Sequence, residues 1–176
     1  MPFIVPSGRK VVLAGNPIIE ELNVETATNV KPGRLVKKGT AATDVIVNTA
    51  GGVPAGWVGW DAEGVHPKIS PATRDTAYVA TNKVPIVYGP VILVGKLASG
   101  QNVTKDTYLI PAANGELIAA ATQAIVAGAV AVTSAAANGA SDLTGSIPPS
   151  GPIVAQAKEN KDASAGALDI VVESLI

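Results

Sequence analysis

Short β-branched apolar runs, broken every eight to twelve positions by turn residues, set the pattern of this chain. That rhythm predicts many short strands rather than helices. Strands are expected over residues 10–14, 18–24, 45–48, 56–60, 77–80, 84–88, 91–96, 108–110, 116–119, 125–133, 153–158 and 168–174. Between them stand Gly15-Asn16-Pro17, Pro32-Gly33, Gly51-Gly52, Gly89-Pro90, Ser99-Gly100 and Asn138-Gly139. Asn114-Gly115 supplies two residues that tolerate positive φ, so a tight hairpin is expected just before Glu116. Residues 119–124 are Ala-rich enough for a helical turn or two, but no capped amphipathic helix of three turns is present. The expected fold is all-β: a small barrel or sandwich of short strands in a single domain over 1–176.

A weak internal repeat fits that module. Gly33, Val36, Lys38 and Thr40 recur in spacing as Gly100, Val103, Lys105 and Thr107. Ala55-Gly56-Trp57-Val58 follows the first copy and Ala127-Gly128-Ala129-Val130 the second. Two copies are too few for a solenoid and suit a turn-then-strand unit used twice. Residues 1–7 carry the apolar, Pro-flanked Phe3-Ile4-Val5 and read as an extended arm. Residues 134–152, small, polar and almost uncharged, read as a projecting loop, with only Leu143 and Ile147 large enough to bury much area. Residues 63–75 form a second Pro-bounded excursion.

Composition narrows the function. The chain has 176 residues, 47% hydrophobic but only 15% charged and 3% aromatic, which is too apolar for a disordered tail. Net charge is −1, so no overall positive field draws it to nucleic acid. Residues 117–137 are uncharged but built from small residues without basic flanks, which argues against a membrane span. No signal-peptide pattern opens the sequence. Without cysteine, disulfides and thiolate chemistry are excluded. The one histidine, His66, sits in a Pro-bounded loop, so a Ser–His–Asp arrangement would depend on it alone. Asp61, Glu63 and His66 could chelate a cation but read more simply as a solvated loop. Gly89 to Lys96 imitates a phosphate loop with one residue too many, and Leu97 stands where a hydroxyl would hold magnesium. No cofactor, no metal and no catalytic residue is expected.

Two features suggest contacts. Lys31, Arg34, Lys37 and Lys38 form the sharpest basic patch, either a solvated turn or a docking site for an acidic protein surface. Residues 1–99 carry ten basic and seven acidic groups and residues 100–176 three and seven, a division of +3 against −4. Trp57 and Trp60, three apart in an expected strand, would point to opposite faces, one into the core and one toward solvent or a partner. Two core residues around a bulge at Gly59 is the alternative.

The run from Gly100 through Val103, Lys105, Asp106, Tyr108 and Asn114-Gly115 to Ala119 resembles the modules of tailed-phage head decoration, or capsid cement, proteins. There a G-x-x-V-x-K-G-D turn leads into a hairpin with Asn-Gly or Asp-Gly. An A-G-x-A strand follows, here residues 125–131, and 167–175 look like the closing strand. The likeness covers about 30–60 and 84–176, with Asp106 standing where the pattern has glycine. It implies a non-catalytic virion protein on the capsid exterior, present in the host cytoplasm during assembly, that stabilises the shell by binding the major capsid protein. It also implies a homotrimer. Pro2, Phe3, Ile4 and Val5 with Lys31, Arg34, Lys37 and Lys38 are then expected at the capsid contact. Trp57, Trp60, Leu143 and Ile147 are expected between subunits. The alternative is a carbohydrate- or receptor-binding β module of a fibre or spike, which would need an aromatic platform from Trp57 or Trp60 with Tyr78 or Tyr88.

Overall fold

The computed structural model describes residues 10–26, 28–60, 73–120, 123–124, 146–147 and 151–176. The chain forms two compact units, one made of Met1–Ala120 with Gly151–Ile176, the other of Ala121–Ser150. Every regular element in the described residues is a strand, apart from one 3-10 turn at Ala113–Gly115.

Among the described residues the first strand of the larger unit is β1 (Val12–Ala14), after which the chain winds a complete barrel before returning to the sheet of β1. That first barrel contains β2 (Ile18–Val24), β3 (Leu35–Lys38), β4 (Asp44–Val47), β5 (Gly56–Val58) and β6 (Lys83–Tyr88), closed in the order β2-β4-β3-β5-β6. The β2–β6 ladder is antiparallel from Ile18↔Tyr88 to Asn23↔Lys83, whereas β4 joins β2 in parallel only at Asn23 and Val24. Side chains alternate across the wall of the barrel. Leu22 and Val24 on β2, with Val84 and Ile86 on β6, enter one core with Val36, Val45 and Tyr78. Val87, one residue along β6, turns instead to a second core.

That second core lies inside β7 (Ile92–Leu97), β8 (Gln101–Val103), β9 (Tyr108–Pro111) and β10 (Leu117–Ala119), with later strands of the chain. In the smaller unit, β11 (Gln123–Ala124) pairs antiparallel with β12 (Ser146–Ile147). The larger unit resumes with β13 (Ala155–Ala157), β14 (Lys161–Ala163) and β15 (Leu168–Ser174). Pairings run from β7 to β10, β9, β13 and β15, and from β15 back to β7, so this ladder also returns to itself. β1 lies against β7, and β8 pairs with β14. The all-β expectation holds, in the form of two small barrels sharing one seam.

The seam is set by Trp57. It belongs to the first barrel through β5, yet its indole is fully buried in the second core and its Nε1 donates to Ser174 Oγ at 3.1 Å. Gly95 on β7 makes room for it, because a Cβ there would come within 3.2 Å of Trp57 Cζ3 and 3.1 Å of Leu117 Cδ1. The supposed phosphate-loop glycine is therefore a packing glycine. The segment around it is strand, paired with β15 from Leu97 to Ile92.

Several expected elements differ. Residues 77–80 form no strand; Tyr78 is buried and bonded to Val30 O, and Thr81 turns the chain at φ 70°. No helical turn occupies 119–124 among the described residues, since Ala119 ends β10 and Gln123–Ala124 is β11. β3, β8 and β14 are strands that polar residues hide from a hydrophobic count. The strand expected at 125–133 lies outside the described residues.

The Asn114-Gly115 hairpin is as expected. Pro111 faces Leu117, Ala112 and Glu116 bond across the turn, and Asn114 and Gly115 have φ of 58° and 67°. Asp106, which stands where the capsid-cement pattern has glycine, has φ 69°. Aspartate is among the few side chains that tolerate this region. Asp106→Gly is thus expected to be neutral or to stabilise by a few tenths of a kcal/mol, and Asp106→Val to cost about 1–2 kcal/mol. Thermal unfolding of both variants checks this ordering.

Candidate interaction surface

The basic patch separates into one structural residue and three surface ones. Arg34 follows Gly33, which turns at φ 76° so close to β7 that a Cβ would lie 2.5 Å from Val94 O. Its guanidinium is buried, and Nη1 donates to Glu116 Oε1 at 2.5 Å and to Asn114 O at 3.2 Å. The side chains of Arg34 and Glu116 keep only 7% and 17% of their surface. Gly115 completes the contact, its N–H donating to Asn48 O and its Cα so near Leu35 O that a Cβ would come to 2.3 Å. Arg34 therefore clamps the tip of the β9–β10 hairpin to β3. Its assignment to an outer contact is corrected, because the charge is spent inside the fold.

Lys37 and Lys38 remain at the surface. Among the described residues, Lys37 Nζ reaches only Thr49 Oγ1, at 3.4 Å, and Lys38 Nζ reaches Ala42 O. Both line an open groove of about 530 Å³ with Glu20, Leu22, Val53, Pro54, Ala55 and Tyr88. The groove opens beside β2 where β4 has parted from it, the two pairing only at Asn23 and Val24. Lys31 is half-buried on the turn before Gly33.

Both tryptophans lie in the core, Trp57 fully buried and Trp60 2% exposed. The strand ends at Val58, so the period-two argument no longer applies at position 60. Their side chains are therefore not available to a neighbouring subunit, and the two-core-residue alternative holds. Tyr78 is buried too, donating its hydroxyl to Gly59 O. A sugar-binding platform loses three of its four aromatic candidates and keeps only the half-buried Tyr88.

A second polar cluster ties the segment at 74–75 to the second barrel. Arg74 donates through Nε and Nη2 to Asp169 Oδ2, at 3.1 and 2.7 Å. Lys96 Nζ bridges Asp75 and Asp169 at 2.9 and 3.2 Å. The hydrogen bond from Lys96 holds the Asp75 carboxyl below the usual carboxylate range. The stabilisation from that link is present above the ordinary carboxylate pKa and is lost as pH falls through the lowered one. These groups pair with one another and point to structure rather than chemistry. No group of three or more metal-ligating side chains occurs among the described residues. No helix among them is long and apolar enough to cross a membrane.

Pro2, Phe3, Ile4, Val5, Asp61, Glu63, His66 and Leu143 lie outside the described residues. Ile147 is placed on β12, with its side chain also outside them. What sequence reasoning missed is the exposed set Ile18, Val53, Ile153 and Leu175. Only their positions at strand starts and in short connections could have marked them.

No protein family and no curated protein matches the sequence. Among solved structures, the head fiber gp8.5 N base of bacteriophage phi29 is similar over 90% of this chain and 94% of that one. The identity is 7% and the TM-score 0.47.

Proposed function

We propose that the chain is a structural virion protein that decorates a phage capsid shell, stabilising it from outside by binding the major capsid protein, as a homotrimer and without catalysis. The observation that carries this reading is the fit between the resembling motif and its backbone. Gly100 and Asp106 both adopt positive φ, Val103 is buried, and Asn114-Gly115 turns the hairpin. The closing strand then pairs across six positions with β7. A motif whose special residues occupy the special conformations is a stronger match than its letters alone. The polar groups that are best placed act as clamps between the barrels, as suits a scaffold.

Shell contact is assigned to Pro2, Phe3, Ile4 and Val5, supported by Lys31. An apolar extended segment can add to a strand edge of the capsid protein, main-chain hydrogen bonds offsetting an ordering cost of roughly 1–2 kcal/mol per residue. The test is co-sedimentation with empty shells, immature and expanded. Binding to expanded shells is expected. Deletion of residues 1–7 should weaken it at least tenfold while leaving the unfolding temperature unchanged. Full binding by the truncated chain removes the arm from the contact, and absence of binding by the intact chain rejects the virion reading.

A further inference from the structure

Eight large apolar side chains are exposed among the described residues, and four of them, Ile18 (59%), Val53 (77%), Ile153 (43%) and Leu175 (49%), come from segments that meet. They are far apart in sequence, but the backbone gathers their segments along the seam. Ile18 is opposite Tyr88 in the β2–β6 ladder, and the next residue, Gly89, donates its N–H to Ile176 O. Leu175 N–H donates to the carbonyl of Val154, the neighbour of Ile153. Gly51 and Gly151 are in contact, with a Cβ on Gly151 falling 3.2 Å from Gly51 Cα, and each lies two residues before Val53 and Ile153. The groove beside Val53 and Tyr88 continues this face across the first barrel. Exposed apolar side chains gathered from four segments across two barrels are uncommon on a protein that works alone.

The charges around the groove identify what covers it. Glu20 and the pair Lys37 and Lys38 line the same groove, and none of the three has an oppositely charged partner among the described residues. A partner of one sign would satisfy one charge and bury the other unpaired, which is unfavourable. A surface that carries both signs is satisfied by a copy of itself, with the lysines of one chain meeting the glutamate of the next.

We infer that the Ile18–Val53–Ile153–Leu175 face is the contact between copies of this chain, with Lys37 and Lys38 set against Glu20 of the neighbour. This moves both lysines from the shell to the neighbouring subunit and replaces the buried tryptophans as the subunit contact. It rests on the proposed function only for the number of copies.

Sedimentation velocity on the full chain over a wide concentration range tests it. The wild type is expected to associate, and Val53→Asp to weaken association at least tenfold with no change in thermal unfolding, since Val53 supports little within its own subunit. Glu20→Lys should weaken association, and the triple variant Glu20→Lys, Lys37→Glu, Lys38→Glu should regain it. A wild type that stays monomeric throughout, or a Val53→Asp variant that associates normally, overturns the proposal. So does a triple variant that fails to regain association. Shell co-sedimentation of Val53→Asp separates this from the virion reading. Loss of shell binding with association intact would give the face to the capsid, against the inference. Association without any shell binding supports the inference and rejects only the virion reading.

Discussion

Trp57→Ala is expected to lower stability by about 3–5 kcal/mol, the range for emptying a fully enclosed indole site. The cavity would open where the two barrels meet, beside Gly95, Leu117 and Val172, which were spaced around the ring. Ser174 would also lose the indole N–H, keeping its own donation to Ile176 O. Against a total stability of about 5–15 kcal/mol for an ordinary domain, such a loss is large. Trp57→Phe keeps most of the apolar contact and should cost about half as much, the remainder being volume and one buried hydrogen bond. Urea unfolding of both variants checks the order, and equal losses would mean that the indole nitrogen matters more than its volume.

Arg34→Ala should cost about 3 kcal/mol, because it leaves the Glu116 carboxylate and the Asn114 carbonyl facing a site built for a cation. Glu116→Ala strands the guanidinium and should cost a similar amount. Replacing both together, as Arg34→Met with Glu116→Leu, should cost less than either single change, since no buried charge is left unpaired. A double-mutant cycle by chemical denaturation measures the coupling. If the two single losses simply add, the clamp is not a pair and the hairpin is held by Gly115 against Leu35 and Asn48 and by the Asn29–Asn114 bond.

How far the sequence discloses this structure depends on where each residue finds its partner. β2 and β15 lie at the expected residues, because both are apolar-rich runs bounded by turn residues. β6, β9 and β10 fall within a residue of expectation for the same reason. β3 and β14 end or begin in lysine and present one polar face, so composition reads them as turns. Arg34 is harder still. Its partner Glu116 is 82 residues away, and nothing local distinguishes it from Lys37 or Lys38. The tryptophans failed on a boundary: with β5 ending at Val58, spacing no longer dictates the face at Trp60. The exposed apolar face has no sequence signature, because its members come from four separate segments that meet only after both barrels close.

The nesting of one barrel within the other has a consequence in time. All five strands of the first barrel lie between residues 18 and 88, whereas β7 must wait for β15, which starts at residue 168. During synthesis the first barrel can close early, while Trp57, already displayed on β5, has no Ser174 to meet. A nascent chain halted before β15 would therefore hold one finished barrel and one open sheet, with the indole at the exposed edge. Adding β15 aligns six positions along β7 and seats the tryptophan in the same event. β15 acts as a latch, and the slow step of folding is expected to be its arrival.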